Sequence, residues 1–208
     1  MALHVDALPD AQRTALAEAG AVAAKESFYL AGGAALALHL GHRRSIDLDW
    51  FRRRPLRDPL RIAQALQGAG VDFSVTMNAA GTLYGVARTV KMSFLEYPYK
   101  MLVKPVRQPA IGCSIASLED IACMKLSAIA DRGAKKVFVD LYFLGEHLPL
   151  ERMLELYREK FDVSDIAHLV MALAYFDDAE RQRMPSMIRK VPWKTIKAEV
   201  QRRVRALG

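Results

Sequence analysis

The order of hydrophobic and polar positions divides the chain into two kinds of segment. Apolar residues at helical spacing predict a first helix from about Leu8 to Glu26. Short apolar runs bounded by glycines or polar turns predict strands at 28–30, 45–51, 71–77, 82–86 and 90–95. From about residue 116 onward the pattern is helical and is interrupted by prolines. The sequence therefore predicts an α+β fold, with a small mixed sheet flanked by helices and a C-terminal helical lobe.

The same change of pattern predicts two regions in 208 residues: an α/β lobe over 1–115, and a helical lobe with a basic tail over 116–208. These regions are either lobes of one unit or separate domains. With 52% hydrophobic and 25% charged residues, the composition is that of a folded globular chain and excludes disorder. The two cysteines, Cys113 and Cys123, match no disulfide or zinc spacing and are expected to be reduced and buried.

No segment is long enough to predict a membrane span. The longest apolar stretch, Phe28 to Leu38, is well short of the ~18 residues that a spanning helix needs. The first residues lack the cationic start and apolar block of a secretory signal. We therefore expect a cytoplasmic protein without a membrane partner.

The net charge of +7 is concentrated in two places. The segment from Arg181 to the C-terminus has one acidic residue, Glu199, and nine basic ones: Arg181, Arg183, Arg189, Lys190, Lys194, Lys197, Arg202, Arg203 and Arg205. A second basic cluster comprises Arg43, Arg44, Arg52, Arg53, Arg54, Arg57 and Arg61. Such clusters favour a polyanionic partner such as RNA, whose phosphates they would neutralise. A solvated helix face is an equally good interpretation of the tail.

The strongest chemical pattern is a glycine pair followed by two aspartates. Gly32 and Gly33 stand between a predicted strand and a predicted helix, and glycines there allow backbone N–H groups to approach phosphate oxygens. Asp47 and Asp49 alternate along the next strand and should project from one face. Two such carboxylates can hold Mg²⁺ ions that also bind nucleotide phosphates. Either piece alone is weak evidence.

In this order and spacing, the two pieces resemble the nucleotidyltransferase superfamily of polymerase β. The segment Gly41 to Phe51 is similar to the AbiEii/AbiGii toxin branch of that superfamily, and so is a second block, with Lys125 to Gly133 followed by Asp140 to Leu144. The resemblance covers residues 28–144, although the strands between the two blocks match only loosely. It implies a nucleotidyltransferase sheet in the first lobe.

The resemblance and the residue chemistry together suggest a role for each candidate. We expect Asp47 and Asp49 to hold Mg²⁺, and the following residues to bind the NTP or to neutralise its phosphates: Gly32, Gly33, Arg43, Ser45 and Lys125. Arg132 lies two helical turns from Lys125 on the same face and could reach the triphosphate or an RNA phosphate. Asp140 stands in an apolar run and is expected to be held by a cation, and Lys136, four residues earlier, could pair with it.

One position departs from the superfamily pattern, in which a later strand often carries a third acid. Here Ser93 stands where that acid is expected. Glu96 comes three residues later and would face the other way unless a bulge turned it. Otherwise Asp140 or bound water would have to assist the attacking hydroxyl. The sequence therefore leaves the general base unassigned.

The resulting hypothesis is an enzyme that transfers a nucleoside monophosphate (NMP) from an NTP to an acceptor hydroxyl, with Mg²⁺ as cofactor. The resemblance implies the toxin of a toxin–antitoxin or phage-exclusion system, with an antitoxin protein as partner and a tRNA 3′ end as one acceptor class. Two alternatives stay open. The acceptor could be a protein or a small molecule, or the chain could be an inactive module that binds nucleotide or RNA.

Overall fold

A computed structural model describes residues 3–207 of the chain. Within this range the strands are β1 (Tyr29–Ala31), β2 (Leu48–Arg52), β3 (Phe73–Ala79), β4 (Thr82–Ala87), β5 (Val90–Glu96), β6 (Val106–Gln108) and β7 (Cys113–Ile115). The helices are α1 (Asp10–Lys25), α2 (Gly32–Leu40), α3 (Leu60–Gly68), α4 (Leu118–Asp131), α5 (Lys135–Leu144), α6 (Leu150–Phe161), α7 (Ala167–Leu173), α8 (Asp177–Glu180) and α9 (Trp193–Arg205). The predicted α+β class is confirmed.

The contacts between residues divide the chain into two compact units. The first unit contains the residues up to Tyr99 together with Lys104–Ser117, and it holds the whole sheet. The second unit contains Lys100–Val103 and the residues from Leu118 onward, and its regular elements are α4 to α9. The sequence placed the boundary near residue 115 and gave no sign that the short segment at 100–103 belongs with the helices.

The sheet of the first unit has the strand order β3-β4-β5-β2-β1-β7-β6. Strand β2 lies at its centre, antiparallel to β1 and parallel to β5, while β5, β4 and β3 form an antiparallel meander. One face carries the core: the rings of Trp50 and Phe94 are stacked at 6.2 Å and are fully buried. The residues that alternate with this core, including Asp49 and Ser93, therefore point to the opposite face.

Several predicted elements differ from the observed ones. Strands β6 and β7 are only three residues long and were not predicted, because such short segments have no clear alternation. Helix α2 begins at Gly32 itself, so the glycine pair is the first turn of the helix and not a separate turn before it. Strand β2 begins at Leu48, which places Asp47 just before the strand.

The second unit is held together by packing of α4 against α5, α6 and α7, and by a buried ion pair. Lys160 on α6 pairs with Asp120 on α4 at 2.6 Å, and both side chains are fully buried. Asp120 also accepts the backbone N–H groups of Leu102 and Val103, and Lys160 donates to the carbonyl oxygen of Lys100. These bonds explain why the segment at 100–103 belongs to the helical unit.

The two cysteines have the surroundings that the sequence predicts. Cys113 and Cys123 are both buried and unpaired, as predicted, and burial raises the pKa of each thiol to about 12. Thiolate chemistry is therefore suppressed at both positions.

None of the helices within residues 3–207 combines the length and the apolar character that crossing a membrane requires.

Candidate active site

The two aspartates of the predicted site line one cleft on the sheet of the first unit. Asp49 lies on β2 and Asp47 directly precedes that strand, so their side chains are on the same side, as their alternation predicts. The cleft has a volume of about 520 Å³, and both carboxylates are partly exposed within it. Its floor is formed by β5, β4 and β3, which continue from β2.

Gly32 lies directly against the carboxylate of Asp49. The register of β1 with β2 places Ala31 opposite Asp49, and the chain then turns into α2 with Gly32 at φ +66°. A Cβ atom on Gly32 would lie 2.6 Å from Oδ2 of Asp49, which is closer than real Cβ contacts allow. Glycine is therefore required here both for its backbone conformation and for the space that the carboxylate occupies.

Gly33, Arg43 and Ser45 are brought together at the start of α2. A Cβ atom on Gly33 would lie 2.9 Å from Nη2 of Arg43 and 3.1 Å from Oγ of Ser45. Both of those side chains are buried, and Nη1 of Arg43 donates to the carbonyl oxygen of Arg44 at 3.0 Å. A guanidinium and a hydroxyl thus lie against the glycine backbone at the N-terminus of a helix, and together with the N–H groups there they form a set of donors suited to phosphate oxygens.

Ser93 occupies the position where the third acid was expected. The β2–β5 register pairs it with Asp49, and its hydroxyl donates a 2.5 Å hydrogen bond to Oδ1 of that residue. The idea that a bulge turns Glu96 towards the aspartates is wrong, because the register stays regular as far as the Arg52–Glu96 pair. The carboxylate of Glu96 instead accepts the backbone N–H of Leu56 at 2.8 Å.

The remaining candidates lie in the second unit. Nζ of Lys125 on α4 pairs with Oδ2 of Asp140 on α5 at 2.6 Å, with side chains 10% and 0% exposed. Asp140 is thus held by a cation, as expected, but the predicted pairing with Lys136 is wrong, since Lys136 is exposed and Asp140 bonds Lys125. Arg132 directly follows the last residue of α4 and is exposed.

The donor chemistry of the cleft fits a divalent cation that is shared with a substrate. Within the described residues, no group of three or more His, Cys, Asp or Glu side chains is arranged to hold a metal ion. Asp47 and Asp49 both supply hard carboxylate oxygens to the same cleft. Mg²⁺ is commonly bound by one or two carboxylates together with substrate phosphates, and it keeps several waters. Two aspartates are therefore sufficient for a site that a nucleotide completes.

Several residues of the two basic clusters have partners within the chain. In the tail, four cations form ion pairs: Arg189 with Glu146, Lys197 with Glu180, and Arg202 and Arg203 with Glu199. In the second cluster, Arg52 donates to the carbonyl oxygen of Pro55 and lies over the ring of Phe28. The other arginines just after β2, at positions 53, 54, 57 and 61, are exposed. Part of the basic charge is therefore already paired within the chain.

The sequence did not predict the residues that form the floor of the cleft. Thr76, Met77, Tyr84 and Lys91 all line it, together with Asp47 and Asp49. Tyr84 alternates with buried residues along β4, which is a weak signal of an exposed aromatic on a sheet face. Thr76 reaches the cleft through a bulge between Val75 and Met77 in β3, and nothing in the local sequence marks that bulge.

Three solved structures share this fold at low sequence identity. MenT4, a nucleotidyltransferase toxin of Mycobacterium tuberculosis, aligns with a TM-score of 0.59 and 13% identity over 92% of this chain and 81% of its own. JHP933 of Helicobacter pylori aligns with a TM-score of 0.56 and 15% identity over 99% of this chain and 93% of its own. The antibiotic-resistance factor ANT(2″)-Ia gives 0.53 and 13% over 73% and 92%. These likenesses establish the nucleotidyltransferase fold.

Two sequence comparisons establish the family. An uncharacterised protein of Aquifex aeolicus is 37% identical over 175 residues, which are 82% of this chain and 84% of that protein. The family model described as nucleotidyl transferase AbiEii toxin, type IV toxin–antitoxin system, matches residues 14–206. The match includes both the cleft of the first unit and the Lys125–Asp140 pair of the second. The chain therefore belongs to the AbiEii nucleotidyl transferase toxin family, as the resemblance of its two motif blocks predicted.

Proposed function

We propose that this protein transfers a nucleoside monophosphate from an NTP to a hydroxyl group of an acceptor, with Mg²⁺ as the cofactor. The observation that carries the proposal is the convergence of Gly32 and Asp49. The start of α2, which suits phosphate oxygens, and the carboxylate, which suits a cation, meet at a distance that only glycine permits. A triphosphate bound at the helix N-terminus would therefore come directly beside the metal ligands.

In the first unit, one set of residues would bind the triphosphate and another would hold the metal. The N–H groups at Gly32 and Gly33, the hydroxyl of Ser45 and the guanidinium of Arg43 would bind and orient the triphosphate. Asp47 and Asp49 would hold Mg²⁺, which when bound polarises the phosphoryl oxygens and neutralises their charge. The Ser93 hydroxyl would fix the rotamer of Asp49 through its bond to Oδ1.

The proposed reaction is an in-line displacement at the α-phosphorus. The acceptor oxygen forms a bond to that phosphorus, while the bond from the α-phosphorus to the bridging oxygen breaks and pyrophosphate leaves with the electron pair. We assign the acceptor's proton to bound water. The carboxylate of Asp140 is fully buried and bonded to Lys125, so we assign it to holding that lysine in place.

For the second unit we keep the roles that the family resemblance implies. Lys125 would neutralise phosphate charge, held in one rotamer by its ion pair with Asp140. Arg132 is exposed and would contact a phosphate of the NTP or of an RNA acceptor. Both proposals are supported by the chemistry of the side chains.

We propose an RNA 3′ end, with tRNA as the leading example, as the acceptor, and an antitoxin protein as the partner that controls the enzyme. Support comes from the family match to a type IV toxin–antitoxin system and from the exposed basic residues. The finding that favours an inactive binding module is Ser93, a serine at the place of an expected acid. A protein or small-molecule acceptor is the other alternative.

One assay separates an RNA acceptor from a protein acceptor and from an inactive module. Purified protein is incubated with Mg²⁺, each of the four α-³²P-labelled NTPs in turn, and total RNA together with a cell extract. Labelled product that ribonuclease destroys and protease leaves intact supports an RNA acceptor. Label that only protease removes rules out RNA in favour of protein. Absence of transfer by a folded wild-type protein to any acceptor rules out the enzyme.

A further inference from the structure

We propose that the exposed sheet face beside Asp49 binds the terminal nucleoside and adjoining phosphate of a single-stranded nucleic-acid acceptor. We call this face the acceptor platform and define it by Thr76, Met77, Tyr84 and Lys91. The inference rests on the proposed nucleotidyl transfer and adds to it the residues that select the acceptor. Charge, ring chemistry and position in the sheet each support this occupant.

The strand order separates the platform from the triphosphate site. Gly32 and the start of α2 adjoin β1 on one side of β2, whereas the platform lies on β5, β4 and β3 on the other side. Cross-strand partners form one row from Asp49 through Ser93 and Tyr84 to Met77. With roughly 4.8 Å between strands, the backbone of Tyr84 lies about 10 Å from that of Asp49, which is the span of a nucleoside. A group on the platform therefore approaches the carboxylates from the side opposite the triphosphate.

The platform exposes an aromatic ring and a thioether on neighbouring strands. Tyr84 is 39% exposed and Met77 is 47% exposed, although both are large and apolar. The bulge in β3 places Thr76 and Met77 together opposite Tyr84, so that both line the cleft. Bulges often redirect side chains beside active sites. An aromatic ring with an adjacent thioether forms a surface on which a base of any identity can stack.

Lys91 supplies a positive charge that is complementary to a phosphate of the acceptor. It precedes Ser93 by two residues on β5 and therefore lies on the same face, at the end of the cleft where Asp47 stands. Lys91 is exposed, and it forms no ion pair with any residue that the structure describes. Its ammonium group can therefore bind the phosphate that links the terminal nucleoside to the preceding one. The cleft volume of about 520 Å³ is sufficient for one nucleotide.

Binding without catalysis gives the first test. A 5′-fluorescein-labelled single-stranded RNA is titrated with protein in the absence of NTP and Mg²⁺, and anisotropy is measured. We expect Tyr84→Ala to raise Kd by roughly 5- to 150-fold, the range measured for loss of one stacked base. Tyr84→Phe keeps the ring and should bind nearly as wild type does. Tyr175→Ala removes a tyrosine that is 53% exposed in the second unit and serves as the matched control.

Lys91→Gln provides a second variant that does not depend on the ring. We expect it to weaken binding and to reduce the slope of log Kd against log salt concentration by about 0.7, the value for one lost phosphate contact on a single strand. An unchanged slope would remove Lys91 from the platform. Thermal unfolding of each variant shows whether the fold is kept.

The kinetic test separates this inference from the proposed function. In the transfer assay, Tyr84→Ala should raise the KM for the RNA acceptor while leaving the KM for the NTP within about twofold. A rise in the KM for the NTP alone would overturn the inference, because the platform would then hold the incoming base. If wild type labels only protein, the platform proposal fails and nucleotidyl transfer stands; if wild type labels no acceptor, both fail.

Discussion

Gly32 and Asp49 are so close that a single methyl group on the glycine would collide with the carboxylate. A Cβ atom at this glycine would be 2.6 Å from Oδ2, and the backbone of Gly32 is in the left-handed region at φ +66°. The register of β1 with β2 creates this contact by placing Ala31 opposite Asp49. The glycine pair and the aspartate pair, which are separate motifs in the sequence, therefore form one site.

Gly32→Ala should reduce transfer by on the order of 100-fold while leaving the protein folded. The new methyl group must displace the carboxylate of Asp49, and a misplacement of about 1 Å at a reacting centre costs on the order of 100-fold in rate. The left-handed conformation adds about 1–2 kcal/mol of strain, which lowers the melting temperature. Steady-state pyrophosphate release and thermal unfolding check both effects. Gly68→Ala, where a Cβ would meet nothing within 4 Å, is the control and should keep full activity.

Ser93→Ala should reduce the rate constant for transfer by roughly 10- to 150-fold, because hydrogen bonds to charged groups contribute about 1.5–3 kcal/mol. Without the 2.5 Å bond to Oδ1, the carboxylate of Asp49 can rotate away from the metal. We therefore also expect a higher Mg²⁺ concentration for half-maximal activity. Ser93→Thr keeps the hydroxyl and should recover most of both values. An unchanged Mg²⁺ dependence in Ser93→Ala would show that the serine does not position the ligand.

The Lys125–Asp140 pair allows structural and catalytic roles to be separated. Lys125→Met removes the cation that pairs with the buried carboxylate of Asp140 and should lower the free energy of unfolding by about 3–5 kcal/mol. Combining it with Asp140→Leu removes both charges and should restore most of that stability. Urea unfolding measures these changes. We expect the double variant to remain inactive, because it lacks the cation, whereas an active double variant would reduce the pair to a structural role.

Glu199 should make stability depend on pH. Its hydrogen bond from Arg202, with a further bond from Arg203, lowers the pKa of its carboxyl from 4.5 to about 2. Because the folded pKa is the lower one, the stabilisation is present above pH 4.5 and is lost as the pH falls towards 2. Glu199→Gln should therefore unfold at lower urea than wild type near neutral pH, and the difference should shrink in acid.

The control for Glu199 is a more exposed ion pair. Glu155 bonds Arg152 at 2.8 Å, with side chains 59% and 53% exposed. Such surface pairs contribute little, so Glu155→Gln should leave the urea midpoint unchanged at every pH. If the difference between wild type and Glu199→Gln stayed constant down to about pH 3, the ion pairs of Glu199 would not be its source.

The parts of the site that could be predicted are those that local sequence determines. A glycine pair between a strand and a helix, and two aspartates in alternation, each specify their own geometry over a few residues, and the structure has both. The sequence could not predict which residue of another helix or strand each side chain bonds. Asp140 bonds Lys125 on another helix instead of Lys136 on its own, because the buried face of α5 packs against α4.

Contacts between residues that are distant in the chain determine the parts of the site that the sequence could not predict. The position of Ser93 beside Asp49 follows from the register of two parallel strands, and the carboxylate of Glu96 accepts a backbone N–H from a residue distant in the chain. The acceptor platform depends on the strand order and on one bulge. The Asp120–Lys160 pair, likewise, joins helices that the sequence places far apart. None of these relationships leaves a periodic signal in one segment.

The most direct test of metal-dependent nucleotidyl transfer at Asp47 and Asp49 follows the α-phosphate in the presence of Mg²⁺. Wild-type protein and the variants Asp47→Asn and Asp49→Asn are incubated with RNA and with NTP labelled at either the α- or the γ-phosphate. We predict that wild type places the α-label on the acceptor and releases the γ-label as pyrophosphate. Each variant should do neither while melting at or above the wild-type temperature, because loss of one carboxylate relieves repulsion. Transfer that persists in a folded Asp49→Asn protein would show that this carboxylate does not hold the metal for catalysis.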